Sequence, residues 1–104
     1  MGMFDDVRVF MKLPGNPGET DFQTKDMDRL LCGYEIGTDE VLRLDGKPVL
    51  GVRSLNFYTT LMPKRRGVLV EYSRCGWLEY DATIDPDTGR VESVTLTELR
   101  KPRR

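Results

Sequence analysis

The chain has 104 residues, 38% apolar and 32% charged, with four Phe, four Tyr, one Trp and a net charge of −1. That is material for one hydrophobic core and too little for two, and the near-neutral balance argues against a surface given over wholly to nucleic acid. The absence of histidine removes the usual general base at neutral pH, the Ser/Cys-His triads and the commonest transition-metal ligand.

From Phe4 to Met11, Val7, Val9 and Met11 alternate with Arg8, Phe10 and Lys12, the period of a strand with one buried face. Leu13-Pro14-Gly15-Asn16-Pro17-Gly18 ends it as a loop. Phe22-Gln-Thr-Lys-Asp-Met-Asp28 follows, with too few apolar residues for a core strand. Here Phe22 is expected to anchor the segment, Thr24 and Asp26 to satisfy backbone donors of a short turn, and Gln23 and Lys25 to project outward. Thr24 to Leu31 is the best helical segment, a single turn capped by Thr24.

Leu30 to Ile36 reads as a strand with Cys32, Tyr34 and Ile36 on one face, and Val41 to Leu44 as a short one. Asp45-Gly46 is a strong hairpin signal. In Val49 to Met62, Leu55, Phe57, Thr59 and Leu61 oppose Asn56, Tyr58, Thr60 and Met62. Both faces carry large groups, so this strand is central or shared with a second copy, which leaves a homodimer open. Pro63 to Gly67 turns the chain. Val68, Val70 and Tyr72 alternate next, then Leu78, Tyr80, Ala82 and Ile84 against Trp77, Glu79, Asp81 and Thr83. Asp85-Pro86-Asp87-Thr88-Gly89 has hairpin chemistry, and Arg90 to Leu99 presents Val94 and Leu96 opposite Ser93, Thr95 and Thr97.

The pattern predicts a mainly β fold. It is a single small domain over 1–99, an antiparallel meander of six or seven strands with at most one short helical turn, and a basic tail over 100–104. No apolar leader precedes Asp5 and Asp6 and no run is long enough to span a bilayer, so a cytoplasmic protein with two reduced cysteines is expected. Cys32 is expected buried, and Cys75, beside a turn, exposed.

Charge is unevenly distributed. Residues 1–52 carry 6 basic and 10 acidic side chains, and residues 53–104 carry 10 and 7. Lys64-Arg65-Arg66 and the tail cations Arg100, Lys101, Arg103 and Arg104 supply the excess, a local patch able to contact phosphate or an acidic protein surface. The aromatic rings among these cations raise single-stranded nucleic acid as a ligand, but Glu71, Glu79 and Asp81 share the strands and would repel phosphate. Those carboxylates would support hydrolase or transferase chemistry only if they converged in a pocket. Asp85-x-Asp87-x-Gly89 resembles a calcium loop, yet its glycine is one position early and the distal glutamate is missing. With no GxGxxG and no Walker A loop, no cofactor is expected, and two cysteines cannot complete a zinc site. A protein-binding surface fits more of the residues: Gln23, Lys25, Arg53, Tyr58, Arg74, Trp77 and Glu79.

Met3-Phe4-Asp5-Asp6-Val7-Arg8, then Phe22-Gln23-Thr24-Lys25-Asp26-Met27, then a Tyr34 strand and Trp77-Leu78-Glu79-Tyr80 resemble a group of small uncharacterised bacteriophage and prophage proteins. That resemblance spans most of the chain but rests on two compact motifs, and it implies no catalytic residue. It implies an accessory protein that binds a host protein in the bacterial cytoplasm and inhibits an antiviral defence complex, as anti-CRISPR proteins do. A minor virion or assembly protein is the remaining alternative.

Overall fold

A computed structural model describes residues 5–27, 32–61 and 75–102 of the chain. Among the described residues, eight strands form one sheet: β1 Asp5–Val9, β2 Asp21–Thr24, β3 Gly33–Ile36, β4 Leu42–Leu44, β5 Lys47–Pro48, β6 Ser54–Leu61, β7 Gly76–Ile84 and β8 Val91–Arg100. Their spatial order is β5-β4-β3-β1-β2-β6-β7-β8. All neighbours are antiparallel except β1 and β3, which run parallel with Val7 opposite Tyr34. The mainly β, single-domain expectation holds, with one or two more strands among the described residues than the turns suggested and this parallel pair breaking the meander.

The sheet curls until its ends meet. Val41 bridges Arg90, the Leu42 amide donates to the Gly89 carbonyl, and the Val91 amide donates to the Glu40 carbonyl. Gly89 sits at this seam with φ +79°, the left-handed conformation that glycine adopts without penalty. Closure removes part of the exposed edge that an open sheet would present.

Strand alternation decides which side chains enter the curl. Val7 and Val9, Tyr34 and Ile36, Leu55, Phe57 and Leu61, and Leu78, Tyr80, Ala82 and Ile84 are all buried inside it. Phe22, Phe57 and Tyr80 form the aromatic centre. Phe22 meets Phe57 edge-on at 5.2 Å, and Phe57 stacks on Tyr80 at 5.5 Å. Each such ring contributes about 1.5–3 kcal/mol by leaving water. The Tyr80 hydroxyl donates to the Pro14 carbonyl at 2.7 Å, which ties the 13–18 loop across the core. Burial pushes the Tyr80 phenol up from its ordinary pKa.

Three expectations need correction. Asp21–Thr24 is a central strand between β1 and β6, although the FQTKD segment was expected to hold too few apolar residues for a core strand, and no helix occurs among the described residues. Two inward positions, Phe22 and Thr24, suffice because both are fully covered, and β1 supplies the main-chain pairing. Cys75 is buried and Cys32 only half-buried, the reverse of the expectation. Cys75 lies at the entry to β7, where the neighbouring Gly76 packs under the backbone of Arg100 to Pro102, so that end of the strand is covered. Finally, Arg100 belongs to β8 rather than to a separate tail. The strand expected at Val68–Tyr72 lies outside the described residues, as do residues 28–31 of the expected helical turn.

Candidate functional site

The convex face of β2, β6 and β7 gathers four of the seven side chains expected to bind a partner: Gln23, Tyr58, Trp77 and Glu79. β6 sends Leu55, Phe57 and Leu61 inward, so Asn56, Tyr58 and Thr60 face outward. On β7 the outward set is Trp77, Glu79, Asp81 and Thr83. The antiparallel register places Asn56 opposite Asp81, Tyr58 opposite Glu79 and Thr60 opposite Trp77. Tyr58 and Trp77 are therefore diagonal neighbours, within reach for large side chains. They stack, with ring centroids 5.0 Å apart and planes 16° from parallel. Gln23 of β2 stands opposite Tyr58 on its other side.

Polar contacts fix the pair. The Trp77 indole Nε1–H donates to Glu79 Oε1 at 2.7 Å. Glu79 Oε2 accepts from Asn56 Nδ2 at 2.9 Å, and the same nitrogen donates to Asp81 Oδ1 at 2.9 Å. The two amide hydrogens of Asn56 are thus shared between two carboxylates. Burial, and then the Glu79 charge, raise the Tyr58 phenol above its ordinary pKa.

Asn56 is itself held by the FQTKD segment. The β2–β6 ladder has a single register pair, Gln23 with Tyr58, and side chains continue it. The Thr24 hydroxyl donates to the Asn56 carbonyl at 2.6 Å and accepts from the Asp26 amide at 3.1 Å. Asp26 Oδ2 accepts from the Asn56 amide at 2.6 Å. Phe22 anchors the segment in the core and Lys25 projects into solvent, as the residue types implied.

Not every expected residue joins this face. Arg53 precedes β6 and its carbonyl accepts from the Ile84 amide. Five residues of extended chain, about 16 Å, separate it from Tyr58. Arg100 stands opposite Trp77 on β8, and Lys101 follows it exposed. Arg74, Lys64, Arg65, Arg66, Arg103, Arg104 and Glu71 lie outside the described residues. Asn56 was not singled out as a site residue, although an amide is an unusual choice in mid-strand. Glu98, opposite Glu79, was missed because the β7–β8 register shifts between Glu79 and Tyr80.

Glu79 and Asp81 lie on this open face, outside the groove of about 360 Å³ that Asp6, Arg8, Gly33, Tyr34, Glu35, Arg43, Asp45 and Gly46 line across β1, β3 and β4. Charges of both signs line that groove. Arg43 binds Asp39 through two hydrogen bonds of 2.6 and 3.0 Å, which holds the Asp39 carboxyl below its ordinary pKa. Asp85–Gly89 is a turn closed on itself, with Asp85 Oδ1 accepting from the Asp87 amide. Among the described residues no three His, Cys, Asp or Glu side chains converge to hold a metal ion, and no helix is long and apolar enough to cross a membrane. Comparison with protein-family models, curated proteins and solved structures finds no match to this chain.

Proposed function

We propose that the chain acts without catalysis, by binding another protein through the outer face of β2, β6 and β7. The observation that carries this reading is the Tyr58–Trp77 stack on the convex side of the sheet, fixed by the Trp77–Glu79 hydrogen bond. Rings immobilised before binding offer rigid contact area at little conformational cost, and tryptophan and tyrosine are the residues that most often anchor interfaces. The phage-type motifs make a host protein in the bacterial cytoplasm the expected partner. Inhibition of an antiviral defence complex is the most concrete form of that activity.

Arg100, opposite Trp77 on the adjoining strand, and the exposed Lys101 that follows it support the alternative of nucleic-acid binding. Glu79, Asp81 and Glu98 oppose it by placing negative charge on the same face. Affinity capture from host lysate, with and without nuclease, separates the two readings. One host protein retained after nuclease and lost with Trp77→Ala is expected. Capture that disappears with nuclease shifts the assignment to the basic residues.

A further inference from the structure

The partner's chemistry follows from the charges around the stack. Glu79 and Asp81 meet at one Asn56 nitrogen. Glu98 stands directly opposite Glu79 across β7–β8, an arrangement of like charges that costs stability. Asp26 lies against Asn56 from the β2 side. None of these four carboxylates forms an ion pair with a described residue, whereas Asp21 at the start of β2 and Asp39 in the turn between β3 and β4 do. Negative charge that has no ion-pair partner among the described residues thus rims two aromatic rings that are each partly exposed.

We propose that this face receives an extended, basic segment of the partner protein, with an arginine seated over the Tyr58–Trp77 rings; the proposal rests on the protein-binding reading. A guanidinium can lie flat on an aromatic face while its edge donates to carboxylates, which an ammonium does less well. Glu79 and Asp81 are two residues apart on β7, so an extended segment with basic side chains at alternate positions matches them at about 7 Å spacing. The carboxylates do not converge on a point as they would around a metal ion, and their charge disfavours a phosphate backbone. Arg100 at one end of the face sets direction, because a basic segment is repelled there and attracted toward Asp81.

Trp77 is the chain's single tryptophan, so its emission reports this face directly. The intact chain is titrated with a short peptide alternating arginine and threonine, with a lysine version, and with an isosteric citrulline version that lacks charge. The arginine peptide is expected to give a saturable change that weakens with salt. The lysine peptide should bind less tightly and the citrulline peptide about tenfold or more weakly. Asp81→Asn and Glu79→Gln are each expected to weaken the arginine peptide about tenfold, while Glu92→Gln and Asp87→Asn, which remove charge elsewhere, leave it unchanged. Circular dichroism of each variant confirms the fold, and Asp81→Asn, at an exposed position, is the variant least exposed to a folding artefact. Equal binding of the citrulline peptide, or equal loss in the control variants, overturns the proposal. A host partner captured by the native chain, lost with Trp77→Ala and kept by Asp81→Asn, overturns the basic-segment proposal and leaves the protein-binding reading standing. Capture unaffected by either substitution overturns both.

Discussion

Tyr58 lies nearly flat on Trp77, 16° from parallel at 5.0 Å, on the side of the sheet that faces away from the core. Two rings stacked outside a core contribute little to what the core already secures. Their value to the fold is the pair interaction itself, about 0.5–1.5 kcal/mol for such a geometry. In a double-mutant cycle of Tyr58→Ala and Trp77→Ala, urea unfolding should give a coupling energy of that size. The core residues stay in place, so both single variants are expected to remain folded. A coupling near zero would mean that the rings do not stack in solution.

The FQTKD segment acts on Asn56 through one hydroxyl and one carboxylate. Thr24 is fully buried, and its hydroxyl satisfies both the Asn56 carbonyl and the Asp26 amide. Thr24→Val keeps the shape and leaves those two groups unmatched, at a cost of about 1–3 kcal/mol. Asp26→Ala frees the Asn56 amide at a site that water reaches, and its cost is expected to be smaller, about 1 kcal/mol. Denaturant titration of the two variants should place Thr24→Val lower in midpoint.

The opposite order of effects would show that the carboxylate, and not the hydroxyl, holds β6 against β2. Much of this site was legible before the fold was known. Tyr58 and the alternation through Trp77, Glu79 and Asp81 put their strands' outer faces on view, because a side-chain period of two is a local property. The turns at Asp45-Gly46 and Asp85–Gly89 were equally local, with Asp45 at φ 53° and Gly46 at φ 79°. β2 escaped notice because it exposes only two side chains to the core, and its place between β1 and β6 depends on chain order in space rather than on pattern. The parallel pairing of β1 with β3 has the same origin. Asn56 was hidden for another reason: its partners Glu79 and Asp81 come from a strand about 25 residues away, and only the register brings them together.

Gly89 and Gly46 share φ +79° but not their surroundings. A Cβ at Gly89 would lie 2.8 Å from the Val49 carbonyl oxygen and 3.2 Å from that of Leu42, while one at Gly46 would meet open space. Gly46→Ala should therefore cost only the left-handed conformation, about 1–2 kcal/mol. Gly89→Ala adds overlap with backbone at the seam that closes the sheet, and its thermal midpoint is expected to fall well below that of Gly46→Ala. Equal midpoints would mean that the seam opens without cost.

The Tyr58 phenol gives a pH signature of the site. Its pKa is raised, first by burial and second by the Glu79 carboxylate, so the folded state favours the neutral phenol. A group whose folded pKa exceeds its unfolded value, about 10 for tyrosine, contributes stability that is fully present below pH 10 and is lost as pH rises through the folded pKa. Absorbance titration, with Tyr58→Phe subtracted to isolate this ring, should therefore show ionisation later than that of an exposed tyrosine. Trp77 emission should fall in the same pH range, because a tyrosinate in contact with the indole quenches it. Glu79→Gln removes the smaller cause and should return the midpoint part of the way. Trp77→Ala uncovers the ring, removes part of the larger cause, and is expected to return it further. A Tyr58 midpoint at the ordinary tyrosine value in the native chain would show that the ring is solvated and the stack open.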